Sequence, residues 1–257
     1  MTEPTEALSF GAAAADYDRF RPRYPRAALR WALTGLAPPA QAADRAASGR
    51  PRVVDLAAGT GILTRDLLSL GHQVTAVEPD PGMRAQLAAA TADVRPLAGS
   101  AESMPLPDGY ADAVLAGQAY HWFDRTAAHP EIARVLRPGG VFAPIWNLRD
   151  DQVTWVTELS RIAEIGDTVD HLRQTVTDFG DAFGPLEWAE FTHTTELTRD
   201  DLRGLIRTRS HYLTATPQRR ADVDREVHEL LDTHPDLAGQ ETVKLPYRTL
   251  VARARRT

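Results

Sequence analysis

The chain has 257 residues, 43% hydrophobic and 25% charged, which is enough for one large α/β domain or two small ones around a sizeable core. A net charge of -6 with scattered basic residues leaves no footprint for nucleic acid, and no apolar run approaches the roughly 18 residues of a membrane helix. The lack of cysteine excludes disulfides, thiolate metal sites and a cysteine nucleophile. With an opening stretch that does not read as a signal peptide, it implies a cytoplasmic protein.

Residues 1–50 are expected to form an N-terminal helical arm, joined through an Ala- and Pro-rich linker between Pro38 and Arg52 to an α/β core over 51–148. VVDLA (Val53 to Ala57) reads as a buried strand, and Leu63, Leu67 and Leu70 follow at helical spacing before Gly71. VTAVE (Val74 to Glu78) is a second strand; Asp80 and Pro81 then supply an N-cap and first-turn proline for a helix carrying Met83 and Leu87. Further strands are expected at Val94 to Leu97, Ala111 to Ala116 and Val141 to Trp146. A helical stretch from Asp124 to Leu136 is broken or restarted at Pro130, and RPGG (Arg137 to Gly140) closes it as a turn.

Over 149–236 the pattern changes to helices, near Thr154 to Ile165, Arg199 to Thr208 and Arg219 to Leu231, read as a lid with one sheet strand. Residues 237–257 return to the sheet as a strand over Tyr247 to Ala254, with Pro246 counting against a regular central strand. Strand and helix in alternation argue for a doubly wound, mostly parallel sheet whose ligands bind at the carboxyl ends of the strands.

One such strand end is DLAAGTG, where Asp55 precedes Gly59 and Gly61 in a tight turn that opens a helix. A GxG turn also opens dinucleotide-binding loops, so a nicotinamide oxidoreductase is a rival reading. Against it, Thr64 stands where the third glycine of that fingerprint belongs, and Asp55 suits a cationic ligand tail better than a pyrophosphate.

DLAAGTG, Glu78 at the end of the second strand, AES (Ala101 to Ser103) and VLRPGG together resemble the class I S-adenosylmethionine-dependent methyltransferases. The resemblance implies a Rossmann-like sheet of seven strands, one of them reversed, with a helical lid inserted after the fifth. YDRFRPRYP (Tyr17 to Pro25), QAYHWFD (Gln118 to Asp124) and LPYRT (Leu245 to Thr249) further resemble the subgroup that includes trans-aconitate-type methyltransferases.

Carried over by position, Ala57, Gly59, Thr60 and Gly61 would pass under the methionine part of the cofactor, with Asp55 orienting the loop or the amino group. Glu78 would bind the ribose hydroxyls, a task suited to a carboxylate with two acceptor oxygens; its other reading is a cap for the helix at Pro81. Pro79 and Met83 follow it in the cofactor set, Ser100, Ala101 and Glu102 would flank the adenine, and Gln118 and Tyr17 would complete the pocket.

The implied activity is methyl transfer to a small molecule, at a hydroxyl or carboxylate oxygen in preference to nitrogen or carbon. A non-catalytic cofactor-binding protein, or a different reaction of the same sulfonium, stays open. His121 is the candidate base for a protonated acceptor, or a packed loop histidine. Tyr120, Trp122 and Phe123 either wall the acceptor or fill core, and Asp124 caps the next helix. Arg23, Tyr24, Trp146, Arg149 and His211 are candidate acceptor contacts. Arg19, Arg21 and Arg23 form either a solvated edge or, where one turns inward, a carboxylate clamp. No histidine spacing suggests a metal, and neither monomer nor homodimer is favoured.

Overall fold

The computed structural model describes residues 18–36, 49–164, 166 and 168–257; Tyr17 and most of the arm and linker lie outside them. These residues divide between two compact units, the larger comprising Arg23–Trp146, Val176–Phe191 and Thr249–Thr257. A short helix, α1 (Arg26–Ala32), opens it. The strands β1 (Arg52–Leu56), β2 (Gln73–Val77), β3 (Ala111–Gly117), β4 (Leu136–Arg149), β5 (Glu187–Thr198) and β6 (Thr242–Arg255) form one sheet in the order β2-β1-β3-β4-β6-β5.

β1 pairs in parallel with β2 and β3, and β3 with β4. Gly139 N–H donates to Arg256 while Arg256 N–H donates to Gly140, and Asp150 N–H donates to Pro246, so β6 runs against β4. Gly184 N–H bonds Arg255 and Thr257 N–H bonds Ala182, which sets β5 against β6 and leaves β6 as the reversed strand. β3 is buried over Ala111 to Ala116, as a strand covered on both faces requires.

Four expectations change. Among the described residues the sheet has six strands rather than seven, because Val94 to Leu97 contributes only a parallel bridge from Leu97 to Val77. Pro96 has no N–H to donate, and only Leu97 exchanges hydrogen bonds, with Ala76 and Glu78. RPGG is no separate turn but the bulged start of β4, with the register shifting between Ala111 and Ala113. β6 continues straight through Pro246, whose carbonyl, the one backbone group a proline keeps, accepts from Asp150 at 3.0 Å.

The connections supply the helices α2 (Ile62–Ser69), α3 (Pro81–Ala90) and α4 (Arg125–Val135). Asp80 caps α3 by accepting from Met83 N–H at 2.8 Å, and Asp124 caps α4 by accepting from Thr126 N–H at 3.0 Å. α4 passes through Pro130 unbroken. The proline removes one bond, to the carbonyl of Thr126, which is exposed and open to water.

The second unit comprises Met1–Pro22, Asn147–Thr175 and Thr192–Arg248, with helices α5 (Thr154–Ile162), α6 (Val169–Thr175), α7 (Arg199–Arg207), α8 (Ser210–Thr214) and α9 (Pro217–Thr233). Its own core joins Trp155 and Leu159 of α5 to Leu202 and Ile206 of α7 and Val227 and Leu231 of α9. Thr198 and Asp201 form a capping box at α7, and Thr216 caps α9 ahead of Pro217. Phe20 lies so close to Gly204 that an added Cβ would meet its ring at 2.5 Å. No helix among the described residues is long and apolar enough to cross a membrane.

One polar group inside the larger unit ties three strands. Asp112 of β3, 2% exposed, accepts from the Arg52 N–H of β1 at 2.7 Å and is paired with Arg137 of β4. Removing one member of a buried pair leaves the other charge uncompensated, at about 3–5 kcal/mol. Asp112→Ala should therefore lower the unfolding free energy by about 3 kcal/mol in a urea titration; a loss below about 1 kcal/mol would mean the pair is solvated.

Candidate active site

The carboxyl end of β1 leads into a loop whose backbone is held in uncommon conformations. Ala57, Gly59 and Gly61 have φ of 54°, 56° and 85°. Left-handed backbone costs an L-residue roughly 1–2 kcal/mol, so Ala57 is a strained position of the kind that gathers at functional sites. The two glycines differ in what they permit. A Cβ on Gly61 would strike Leu87 Cγ at 2.7 Å, so Gly61 serves the close approach of α2 to α3. A Cβ on Gly59 would meet nothing within 4 Å. Gly59 therefore borders open space.

Two carboxylates lie beneath this loop. Asp55 is 1% exposed; its Oδ2 accepts from Thr64 Oγ1 at 2.6 Å, and its Oδ1 has no hydrogen-bond donor among the described residues. Burial, partly offset by Thr64 and reinforced by the nearby Glu78, pushes the Asp55 carboxyl up to about 7. Glu78, 6% exposed, accepts from Gly59 N–H through Oε2 at 2.9 Å and from Asp80 N–H through Oε1 at 2.8 Å. It thus joins the loop after β1 to the loop after β2. Burial raises its pKa as well, against the two amides that favour the charged form. Thr60 is buried, its carbonyl accepting from Arg65 at 2.9 Å. Pro79 is exposed with its carbonyl on Arg84 at 2.6 Å, and Met83 is buried on α3.

The segment expected to flank an adenine is a tight turn closed by Ser100 and Ser103, which exchange backbone hydrogen bonds at 3.1 and 3.3 Å. Ala101 is buried beneath it, and Glu102 accepts from Asp124 N–H at 3.0 Å, which fixes the turn to the start of α4.

At the end of β3, Gln118 has φ of 54°, a second strained non-glycine position, and its N–H donates to Ile145 at 2.9 Å. Tyr24 folds against this strand end: a Cβ on Gly117 would meet its hydroxyl at 2.6 Å and Leu63 at 3.2 Å. Asp66 of α2 holds Tyr24 there by accepting its N–H at 3.0 Å. The same carboxylate takes Arg23, whose side chain is 59% exposed, at 3.3 Å. That ion pair holds Arg23 at the surface beside α2.

QAYHWFD divides by burial. Tyr120 is 1% exposed, donates or accepts at 2.8 Å with His129 Nε2, and packs edge-on against Phe179 at 5.6 Å and Trp146 at 6.1 Å. Burial pushes its hydroxyl up to about 12, which leaves it neutral. Trp146, also 1% exposed, stacks on Trp188 at 6.4 Å. The structure thus takes both of these candidate acceptor contacts into the core. His121 is exposed on a single 3-10 turn (Tyr120–Trp122), its ring 4.8 Å from that of half-buried Trp122.

In the second unit His211 is exposed on α8, whereas Arg149 is buried at the last residue of β4. Asn147 donates to the Pro22 carbonyl at 3.5 Å, Arg21 donates to the Thr208 carbonyl at 3.2 Å, and Arg19 pairs with Asp201 at 3.2 Å. Among the described residues no group of three or more His, Asp or Glu side chains is placed to hold a metal. Three polar contacts escaped the sequence reading: Thr64 on Asp55, Asp66 on Tyr24, and Glu131, which accepts from Met104 N–H at 2.7 Å. Thr64 carries the clearest signal, a hydrogen-bonding residue where a dinucleotide loop needs glycine.

A model of the methyltransferase domain matches residues 54–143. An uncharacterized methyltransferase of Mycobacterium tuberculosis is 42% identical over 248 residues, covering 96% of each chain. An uncharacterized methyltransferase-like protein of Schizosaccharomyces pombe is 30% identical, covering 97% of this chain and 96% of that one. Among solved structures, one from Anaeromyxobacter dehalogenans, assigned as a type II methyltransferase, is 27% identical with a TM-score of 0.68, covering 92% of this chain and 98% of that one.

Asp55 makes stability depend on pH. A carboxyl raised from 3.8 to about 7 binds more protons in the folded than in the unfolded state. Stability is therefore highest below the unfolded value and falls as pH rises through 7. Asp55→Asn cannot ionise, so its melting temperature should gain on that of the wild type between pH 4 and 8, by several degrees; an offset that stays flat over that range would contradict a buried, proton-binding Asp55.

Proposed function

The chain belongs to the methyltransferase family, and from that premise we propose that it uses S-adenosylmethionine to methylate an oxygen of a small molecule. The observation that carries the reading is the cradle at Gly59. Its surface toward open space is bare backbone, and the carboxylate of Glu78 holds its N–H from below. The residues present fit the cofactor. Each Glu78 oxygen uses one of its two acceptor sites on a backbone amide, which leaves one apiece for the two hydroxyls of a ribose. The buried Asp55, with Oδ1 lacking a donor, places a proton-binding or negative group beneath a loop that would face a cationic amino-acid tail.

When bound, the cofactor supplies a methyl group activated by an adjacent positive sulfur. The chain's own work is then to orient and to keep water out. Gly59 and the strained Ala57 shape the floor, Ser100 to Glu102 form the turn on one side, and Gln118 occupies the neighbouring strand end with Tyr24 behind it. In this reading His121, exposed at the start of the turn that follows Gln118, removes the proton of a hydroxyl acceptor. A carboxylate acceptor has no proton to lose.

Two measurements check this. Gly59→Leu should keep the circular dichroism of the wild type and lose at least about 100-fold in calorimetric affinity for S-adenosylhomocysteine, since the side chain would fill the cradle; unchanged affinity would move the cofactor elsewhere. His121→Ala should slow transfer to a hydroxyl acceptor by about 100-fold or more with the same cofactor affinity; an unchanged rate would leave His121 as surface.

A further inference from the structure

The second unit buries a positive charge beside which the described residues place no carboxylate. Arg149 is 7% exposed, and all three guanidinium nitrogens are shut off from solvent without a hydrogen-bond partner. Tyr247 of β6, 1% exposed, buries its hydroxyl in the same state. The two groups face and act on each other. Arg21 adds its positive charge at both, and Arg209 adds a further one at Tyr247.

The acids next in sequence are engaged elsewhere: Asp150 accepts from Gln152 N–H at 3.2 Å, and Asp151 faces Arg248 at 3.5 Å. His193, stacked on the Tyr247 ring at 5.2 Å, is kept toward its neutral form by burial and does not offset the cations. Burial lowers the Arg149 guanidinium to about 10, still charged at neutral pH. An uncompensated buried ion costs several kcal/mol, a cost that an anion held between guanidinium and phenol would offset.

We propose that Arg149 and Tyr247, with the charges of Arg21 and Arg209 around them, form a binding site for a small carboxylate anion within the second unit. The binding of the anion stands on this geometry alone, whatever the larger unit binds. The planar guanidinium offers two parallel N–H donors to a carboxylate, and the phenol adds a third.

The test uses the full chain, titrated by calorimetry and thermal unfolding with succinate and, separately, inorganic phosphate, each with and without S-adenosylhomocysteine. Succinate should bind and raise the melting temperature. Arg149→Met should weaken succinate at least about tenfold, and Tyr247→Phe by a smaller factor. The ligand-free Arg149→Met chain should melt above the wild type, because an apolar side chain replaces an uncompensated charge. Should Arg149→Met not fold, Arg149→Lys serves, keeping the charge but losing the fork and weakening succinate likewise.

Succinate binding that ignores Arg149, or no succinate binding in any condition, overturns the proposal, and binding of phosphate in preference overturns the carboxylate class. S-adenosylhomocysteine binding without succinate binding would remove this site alone. Succinate bound through Arg149 with no S-adenosylhomocysteine binding would remove the methyltransferase reading and leave the anion site.

Discussion

The carboxylate of Glu78 is the contact on which the larger unit's site depends. Its two oxygens hold the Gly59 and Asp80 amides, at 2.9 and 2.8 Å, and so fix the loop after β1 against the loop after β2. Asp80 in turn caps α3, and α3 presents Leu87 to Gly61 at a distance that only glycine allows. One buried side chain thus sets the path of the glycine loop and the start of the next helix. It also keeps an unused acceptor site on each oxygen. The two readings of Glu78, loop support and ligand contact, are compatible because a carboxylate has more acceptor sites than two amides consume.

Both units carry costs that a chain selected for stability alone would avoid. Ala57 and Gln118 adopt left-handed backbone without being glycine. Among the described residues, one buried Asp55 oxygen has no donor and the buried Arg149 guanidinium nitrogens have no acceptor. Each departs from a local rule, and such departures gather where a ligand supplies the missing partner. The helix starts at Asp80, Asp124, Thr198 and Thr216 show the opposite condition, every cap carrying its expected hydrogen bond.

Much of the frame was legible in the sequence because it rests on local chemistry. The apolar runs of β1 and β3, the Asp80 and Asp124 caps and the glycine turn each involve a few adjacent residues. What was misread involves partners far along the chain. RPGG has the composition of a turn, yet pairing with Arg256 draws it into β4 as a bulge. Pro246 argues against a central strand by its missing N–H, while its carbonyl still accepts from Asp150. In QAYHWFD the residue types could not separate wall from core; contacts with Phe179, more than fifty residues away in sequence, assign Tyr120 to the core. Arg149 read as one candidate among several arginines, and burial beside Tyr247 is what distinguishes it from Arg19 and Arg23, which pair with acids at the surface.

The most direct test of Glu78 as both support and ligand contact is a calorimetric comparison of S-adenosylhomocysteine with its 2′-deoxy analogue on the wild type and on Glu78→Gln. If a carboxylate oxygen receives the ribose hydroxyl, the wild type should prefer the hydroxylated ligand by at least about tenfold, and the variant should lose most of that preference. A variant that still discriminates between the two ligands as the wild type does would show that Glu78 holds the loops and does not touch the ligand.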